Sequence, residues 1–237
     1  MVDFDGINQS PEAVYALSEE LLNGSQQDTF PYDTEVLGVP ITVLADVFSP
    51  KYLIGAEQFT RLLNFAPGIE FLEIGPGTGA IALHAALAGA RRVVAIDINP
   101  AAVANTQANI DRHGVGNRME VREGDIFEPL HPGERFDLIF WNVPFGYVEP
   151  DVQPTPLQRS TLDPGYEATR RYIQQGRRFL KPGGRLVLGF SSVIGRLWLV
   201  ERFAAEAGLE ARIVAREEGP DEFAMPTELV EFFPRGG

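Results

Sequence analysis

The most chemically suggestive stretch of the chain is Phe71-Leu72-Glu73-Ile74-Gly75-Pro76-Gly77-Thr78-Gly79-Ala80. A short apolar, strand-like run enters it and an alanine-rich helical pattern leaves it. Glycines at such a junction let the backbone turn sharply and approach a ligand closely. The spacing Gly75-x-Gly77-x-x-Ala80 also satisfies the permissive dinucleotide fingerprint. Glu73 argues against that reading, because a carboxylate sits awkwardly beside a pyrophosphate. Two more acids follow in order. Asp97 lies in Ala95-Ile96-Asp97-Ile98-Asn99, and Asp125 in Gly124-Asp125-Ile126-Phe127. Asp97 can hold a ligand or cap the next helix, although Asn99 before Pro100 suits capping better. Asp125 can hold a ligand or turn the chain.

A fourth feature is Asn142-Val143-Pro144-Phe145, directly after the apolar run Phe136–Trp141. In isolation it also reads as a strand-ending turn. The ordered set resembles the class I S-adenosylmethionine-dependent methyltransferases, from about residue 46 to the C-terminus. The resemblance implies S-adenosyl-L-methionine as cofactor. The loop of Gly75, Gly77, Thr78 and Gly79 would wrap its methionine part, with Glu73 as the acid that begins the motif. Asp97, with Ile98 beside it, would hold the ribose hydroxyls. Asp125 would lie by the adenine amino group, and Ile126 would wall the ring. Asn142 would border both cofactor and acceptor.

Asn142-Val143-Pro144-Phe145 is similar to the Asn-Pro-Pro-Tyr/Phe motif of methyltransferases that act on planar nitrogens. Such a nitrogen shares its lone pair with a neighbouring π system and is a poor nucleophile. The resemblance implies that the Asn142 side-chain oxygen and the Val143 carbonyl accept its hydrogens, that Pro144 shapes the turn, and that Phe145 stacks on the planar group. Val143 departs from the family, where proline is usual; the carbonyl survives and the ring's stiffness is lost. Leu162-Asp163-Pro164-Gly165-Tyr166-Glu167 through Lys181-Pro182-Gly183-Gly184 resembles the release-factor glutamine methyltransferases, as does Val47-Phe48-Ser49-Pro50, a segment also similar to ribosomal RNA guanine methyltransferases. The helical N-terminal domain of the release-factor enzymes has no counterpart in the acidic first 50 residues. The expected reaction is methyl transfer to a planar nitrogen of a protein side-chain amide or small metabolite. Biosynthetic N-, O- or C-methylation of a small molecule, RNA base methylation, and cofactor binding without catalysis stay open.

Charge bears on the acceptor. The 237 residues carry 33 acidic and 20 basic side chains, for a net charge of −13. The first 50 residues hold nine Asp or Glu and no Lys, Arg or His. Nucleic-acid binders need cations to neutralise phosphates, so this balance weighs against DNA or RNA, although a local patch between Lys51 and Arg216 stays open. Cysteine is absent, which excludes a disulfide scaffold, a thiolate metal site and a cysteine nucleophile. His84, His113 and His131 are scattered without metal-ligand spacing, so no metal is expected. The N-terminus, with Asp3 and Asp5, lacks the pattern of a signal peptide, and no run approaches a membrane span. A cytoplasmic protein without membrane contact is the expectation.

The elements that must position these residues alternate. Residues 10–23 read as a helix capped by Ser10, and Val36–Val47 as a hairpin around Gly38-Val39-Pro40. A helix is expected near 55–65, then strand Ile69–Ile74, a helix to about Leu87, strand Arg92–Ile98, helix Ala101–His113, and strands Met119–Arg122 and Phe136–Trp141. Val143–Gly165, rich in proline, reads as a long substrate-facing loop. Helix Tyr166–Leu180, strand Arg185–Phe190, a helix near 193–207 and strands near 209–215 and 227–233 complete the chain. This is an α/β pattern: a Rossmann-like, doubly wound, mostly parallel seven-stranded sheet with the last strand antiparallel. Residues 1–50 are expected to form a helix-and-hairpin extension, packed over the ligand, and residues 51–237 the methyltransferase domain.

Overall fold

Near-continuous apolar runs belong in strands covered on both faces. Three such runs form the centre of the sheet as β3 (Glu70–Ile74), β4 (Arg92–Asp97) and β6 (Phe136–Asn142), in the computed structural model. The structure describes residues 10–52, 55–219 and 225–235. With β5 (Met119–Glu123), β9 (Leu180–Phe190), β10 (Leu209–Glu217) and β11 (Thr227–Pro234), these strands make a seven-stranded sheet in the order β10-β11-β9-β6-β3-β4-β5. β3 to β6, β9 and the β4–β5 pair run parallel, and β11 is antiparallel to both β9 and β10.

Side-chain alternation splits the core into two layers. Phe71, Val93, Ala95, Leu138, Phe140 and Val187 face one layer, under α2 (Gly55–Leu63), α3 (Ala80–Leu87) and α4 (Pro100–His113). Leu72, Val94, Ile139, Leu186 and Leu188 face the other, under α5 (Glu167–Gly176) and α6 (Leu197–Glu206). Helices on both faces of a mostly parallel sheet make the fold Rossmann-like, as the alternation implied.

The N-terminal segment supplies α1 (Pro11–Ser25) and the hairpin β1 (Tyr32–Val36) and β2 (Val39–Val43). Ser10 caps α1 by accepting the Ala13 amide at 3.3 Å. Polar side chains of α4 fasten the hairpin: Asn105 and Asn109 both donate to the Thr42 carbonyl, at 2.7 and 2.9 Å, and accept the Leu44 and Thr42 amides. His84 and His113 bond the Val36 and Pro40 carbonyls at 2.8 and 2.7 Å.

Several boundaries differ from expectation for local reasons. The hairpin turns at Leu37-Gly38, both at positive φ, so Val39 and Pro40 belong to β2. The α5 helix begins after Tyr166, whose φ of +54° excludes it, and a 3-10 turn over Arg177–Phe179 ends it. Lys181-Pro182-Gly183-Gly184 lies inside β9, with the irregularity in register falling there. The 193–207 helix shortens to α6, and the 209–215 strand lengthens to Glu217. The loop Val143–Gly165 carries a short parallel pair, β7 (Gly146–Val148) and β8 (Leu162–Pro164), which local sequence cannot announce because its partners are distant. Asp3, Asp5 and most of the turn after Gly219 lie outside the described residues.

Candidate active site

Open α/β sheets gather ligands beyond the carboxyl ends of their parallel strands. A cavity of about 680 Å³ lies there, lined by the glycine loop, Glu73, Asp97, Ile98, Asp125, Ile126 and Asn142 to Phe145. Helix α1 adds Val14, Leu17 and Leu21, and residues 156–164 add a further wall.

Glu73, next to last in β3, is 2% exposed, and its Oε2 has no hydrogen-bond partner among the described residues. Burial, helped by the nearby Asp97 carboxylate, pushes its pKa up to about 8. Asp97 ends β4. Its Oδ2 accepts the Gly77 amide at 3.1 Å and its Oδ1 the Asn99 amide at 2.9 Å. Burial raises its pKa to about 6 against the pull of those backbone donors. Asn99 caps α4 by accepting the Ala101 amide, so Asp97 binds the loop instead.

The loop has little freedom. Gly75 has φ +61°, and a Cβ there would stand 2.8 Å from Trp141 Nε1. Gly79 has φ +81°, and its Cβ would stand 2.8 Å from Thr106 Cγ2. Thr106 donates to the Gly77 carbonyl at 3.0 Å, and Asn109 to the Thr78 carbonyl at 2.9 Å. Helix α4 thus fixes both the loop and the hairpin.

Asp125 also lines the cavity, and its Oδ2 pairs with Arg171, a further lining residue, at 2.8 Å. Ile126 beside it is buried, while Ile98 is 45% exposed on the wall. A cavity of this size with an orphaned carboxylate oxygen, a tight glycine loop and apolar walls fits a nucleoside bearing a cationic tail.

Asn142 ends β6, next to Gly189 of β9. Its side-chain amide has no hydrogen-bond partner among the described residues. The Val143 amide extends the ladder by donating to the Gly189 carbonyl at 3.3 Å. Val143 therefore makes a sheet bond that proline cannot. Phe145 packs edge-on to Phe190 at 5.9 Å. Its carbonyl accepts the Tyr166 hydroxyl, which in turn accepts the Arg196 amide at 3.1 Å. The Arg196 guanidinium stacks 3.9 Å over Tyr147, and Ser18 of α1 bonds Thr161 at 2.6 Å.

Of the residues expected to hold cofactor or acceptor, Glu73, Gly75, Gly77, Thr78, Asp97, Ile98, Asp125, Ile126 and Asn142 to Phe145 line one cavity, while Gly79 lies behind its wall against Thr106. Sequence reasoning missed Thr106, Asn109, Arg171 and Tyr166. The two α4 residues were legible only as polar positions on a helix face; Tyr166 hid inside an expected helix.

Residues 71–165 match the methyltransferase domain family. A Methanocaldococcus jannaschii protein, provisionally named a protein N5-glutamine methyltransferase, is 29% identical over 197 residues, covering 81% of this chain and 95% of that protein. A release factor glutamine methyltransferase of Gloeobacter violaceus is 36% identical over 159 residues, 59% of this chain and 54% of the relative. The chain spans about half the length of the release factor enzymes it matches. A solved structure, provisionally described as a methyltransferase and complexed with S-adenosylhomocysteine, shares the fold at a TM-score of 0.62. It is 14% identical, over 87% of this chain and 57% of its own.

Proposed function

The chain belongs to the class I S-adenosylmethionine-dependent methyltransferases, and on that premise we propose that it methylates the side-chain amide nitrogen of glutamine in a protein. The observation that carries this reading is the place of Asn142 to Phe145. Asn142 ends β6 and Val143 to Phe145 follow it, directly beside β3 with its glycine loop, and all four line the same cavity. The names of the relatives support glutamine as the amide.

The bound cofactor supplies an activated methyl group on a sulfonium. Asp97 holds the ribose hydroxyls, Asp125 the adenine amino group, and Ile98 and Ile126 flank the base. Glu73 faces the cationic tail, whose charge draws its proton off. With the cofactor bound, the Asn142 oxygen and the Val143 carbonyl would accept the two amide hydrogens and aim the nitrogen lone pair; as nitrogen gains the methyl and the sulfonium becomes a neutral thioether, one of those hydrogens would leave as a proton to water. Phe145 stacks on the amide plane. Orientation of this kind supplies much of the rate, and acceptors placed where positive charge develops supply more. Helix α1, bonded to the 143–165 loop through Ser18, covers the bound pair as a lid. Among the described residues, no helix is long and apolar enough to cross a membrane.

The test is transfer of labelled methyl from S-adenosylmethionine to a glutamine-bearing peptide, with the matching asparagine peptide, free glutamine and structured RNA in parallel. The reading expects label on the glutamine peptide alone. Salt-sensitive labelling of the RNA overturns it.

A further inference from the structure

The sheet ends in a row of polar side chains. By the two-residue period of strands, Asp97, Glu73 and Asn142 share a face with Ala95, Phe71 and Phe140, all of which lie in the layer under α2 and α3. The same period on β9 leads from Val187 through Gly189 to Ser191, just past the strand. On β11 it leads from Leu229 back to Thr227. The Phe190–Glu228 pairing brings Ser191 opposite Thr227. Five neighbouring strands, β4-β3-β6-β9-β11, therefore each present one polar side chain on one face at the cavity end.

The first half of this row belongs to the cofactor side, and Asn142 stands in the middle. The second half has no task in the function proposed above. Thr227 is 2% exposed and lines the cavity, yet its Oγ1 has no partner among the described residues. Ser191 is fully buried, and its Oγ likewise has no partner among the described residues. Gln58 of α2, 1% exposed, also lines the cavity, and among the described residues its Nε2 reaches only the Glu218 carbonyl, at 3.4 Å. Buried polar groups are ordinarily paired, so a ligand that completes them is the economical explanation.

Their chemistry limits that ligand. Two hydroxyls and a carboxamide carry no charge and can both donate and accept. They match a neutral amide better than a carboxylate or phosphate. Their distance limits it further. Two strand spacings of about 4.8 Å separate β6 from β11, and Thr227 lies two residues along β11 from Leu229, the residue level with Asn142, so Thr227 stands roughly 12 Å from Asn142. A single carboxamide spans about 2.3 Å between nitrogen and oxygen. A glutamine side chain with its own main chain covers the remainder.

We propose that Thr227, with Gln58 beside it, is a second acceptor subsite that hydrogen-bonds the main chain of the peptide carrying the target glutamine. The acceptor is then a residue within an extended peptide, and a free small amide is a poor substrate. This rests on the glutamine reading above.

The test compares a glutamine-bearing octapeptide with butyramide, using wild type, Thr227→Val, Thr227→Ser and Gln58→Met. Thr227→Val should raise the peptide KM roughly fivefold to tenfold, the scale of one neutral hydrogen bond. Its kcat and S-adenosylhomocysteine affinity should stay within twofold of wild type. Thr227→Ser should restore the KM, and Gln58→Met should raise it independently. Butyramide should be turned over poorly by every form. An unchanged peptide KM in Thr227→Val and Gln58→Met overturns the subsite while leaving glutamine methylation standing, as does butyramide matching the peptide. No transfer from wild type to the peptide overturns the glutamine reading and, with it, the subsite.

Discussion

The Tyr166 hydroxyl donates to the Phe145 carbonyl and accepts the Arg196 amide, 3.1 Å away. One fully buried phenol thereby joins the acceptor motif, the start of α5 and the turn before α6. Burial holds its pKa well above the usual phenol range, so it stays a donor. Its positive φ places the ring there, and such backbone persists only where its surroundings over-determine it.

Tyr166→Phe should therefore loosen Phe145 without touching the cofactor. It leaves a carbonyl and an amide without their partner, a cost of about 1–3 kcal/mol. Urea melts should show that loss. Turnover should fall while S-adenosylhomocysteine affinity holds. Equal loss of both would assign Tyr166 a role in general stability only.

Stability of the unliganded protein should fall as pH rises from about 4.5 to 8. Glu73 and Asp97 keep protons in the folded state, to about 8 and about 6, that the unfolded chain releases near 4.5 and 3.8. A raised carboxyl pKa adds stability below the unfolded value, and that addition is lost as pH climbs through the folded value. Each group contributes a slope of up to about 1.4 kcal/mol per pH unit. Glu73→Gln should flatten the curve between about pH 6 and 8, where Asp97 has already ionised. Denaturant melts across that range decide it; the same slope in both proteins would remove Glu73 as the cause.

Asp97→Ala should weaken S-adenosylhomocysteine binding by about 1.5–3 kcal/mol, the scale of a hydrogen bond to a charged group. Calorimetry on the folded variant measures it. Unchanged affinity would leave Asp97 only the Gly77 and Asn99 amides that it already holds.

Gly79→Ala should destabilise the fold by about 2 kcal/mol or more, since φ +81° is a left-handed conformation and the new Cβ meets Thr106. In a Thr106→Ala background the penalty should shrink, because the clash goes and only backbone strain is left. Strictly additive losses in the double-variant cycle would contradict the contact.

Where local rules govern, the sequence was readable. The apolar runs of β3, β4 and β6 each fall within two residues of expectation, and Asn99-Pro100 marks the start of α4. The glycine loop was legible because one strand-loop-helix unit sets its spacing, and the acids because Glu73 and Asp97 sit at the ends of β3 and β4 and Asp125 just after β5. What escaped depends on distant partners. Thr227 meets the cavity only through the antiparallel return of β11, and Arg171 meets Asp125 across 46 positions. The strands β7 and β8 exist only as each other's partner. No periodicity in a segment of three residues reveals that.

The most direct measurement is methyl transfer to a glutamine-bearing peptide by wild type and Asn142→Ala, with fragment mass spectrometry locating the added methyl and calorimetry following S-adenosylhomocysteine. The account predicts one methyl on the glutamine side-chain nitrogen from the wild type. It predicts a turnover lower by roughly 10²–10³ in Asn142→Ala, the scale of one lost transition-state acceptor, with cofactor affinity unchanged. A normal rate from Asn142→Ala, or a methyl group on oxygen or carbon, would contradict it.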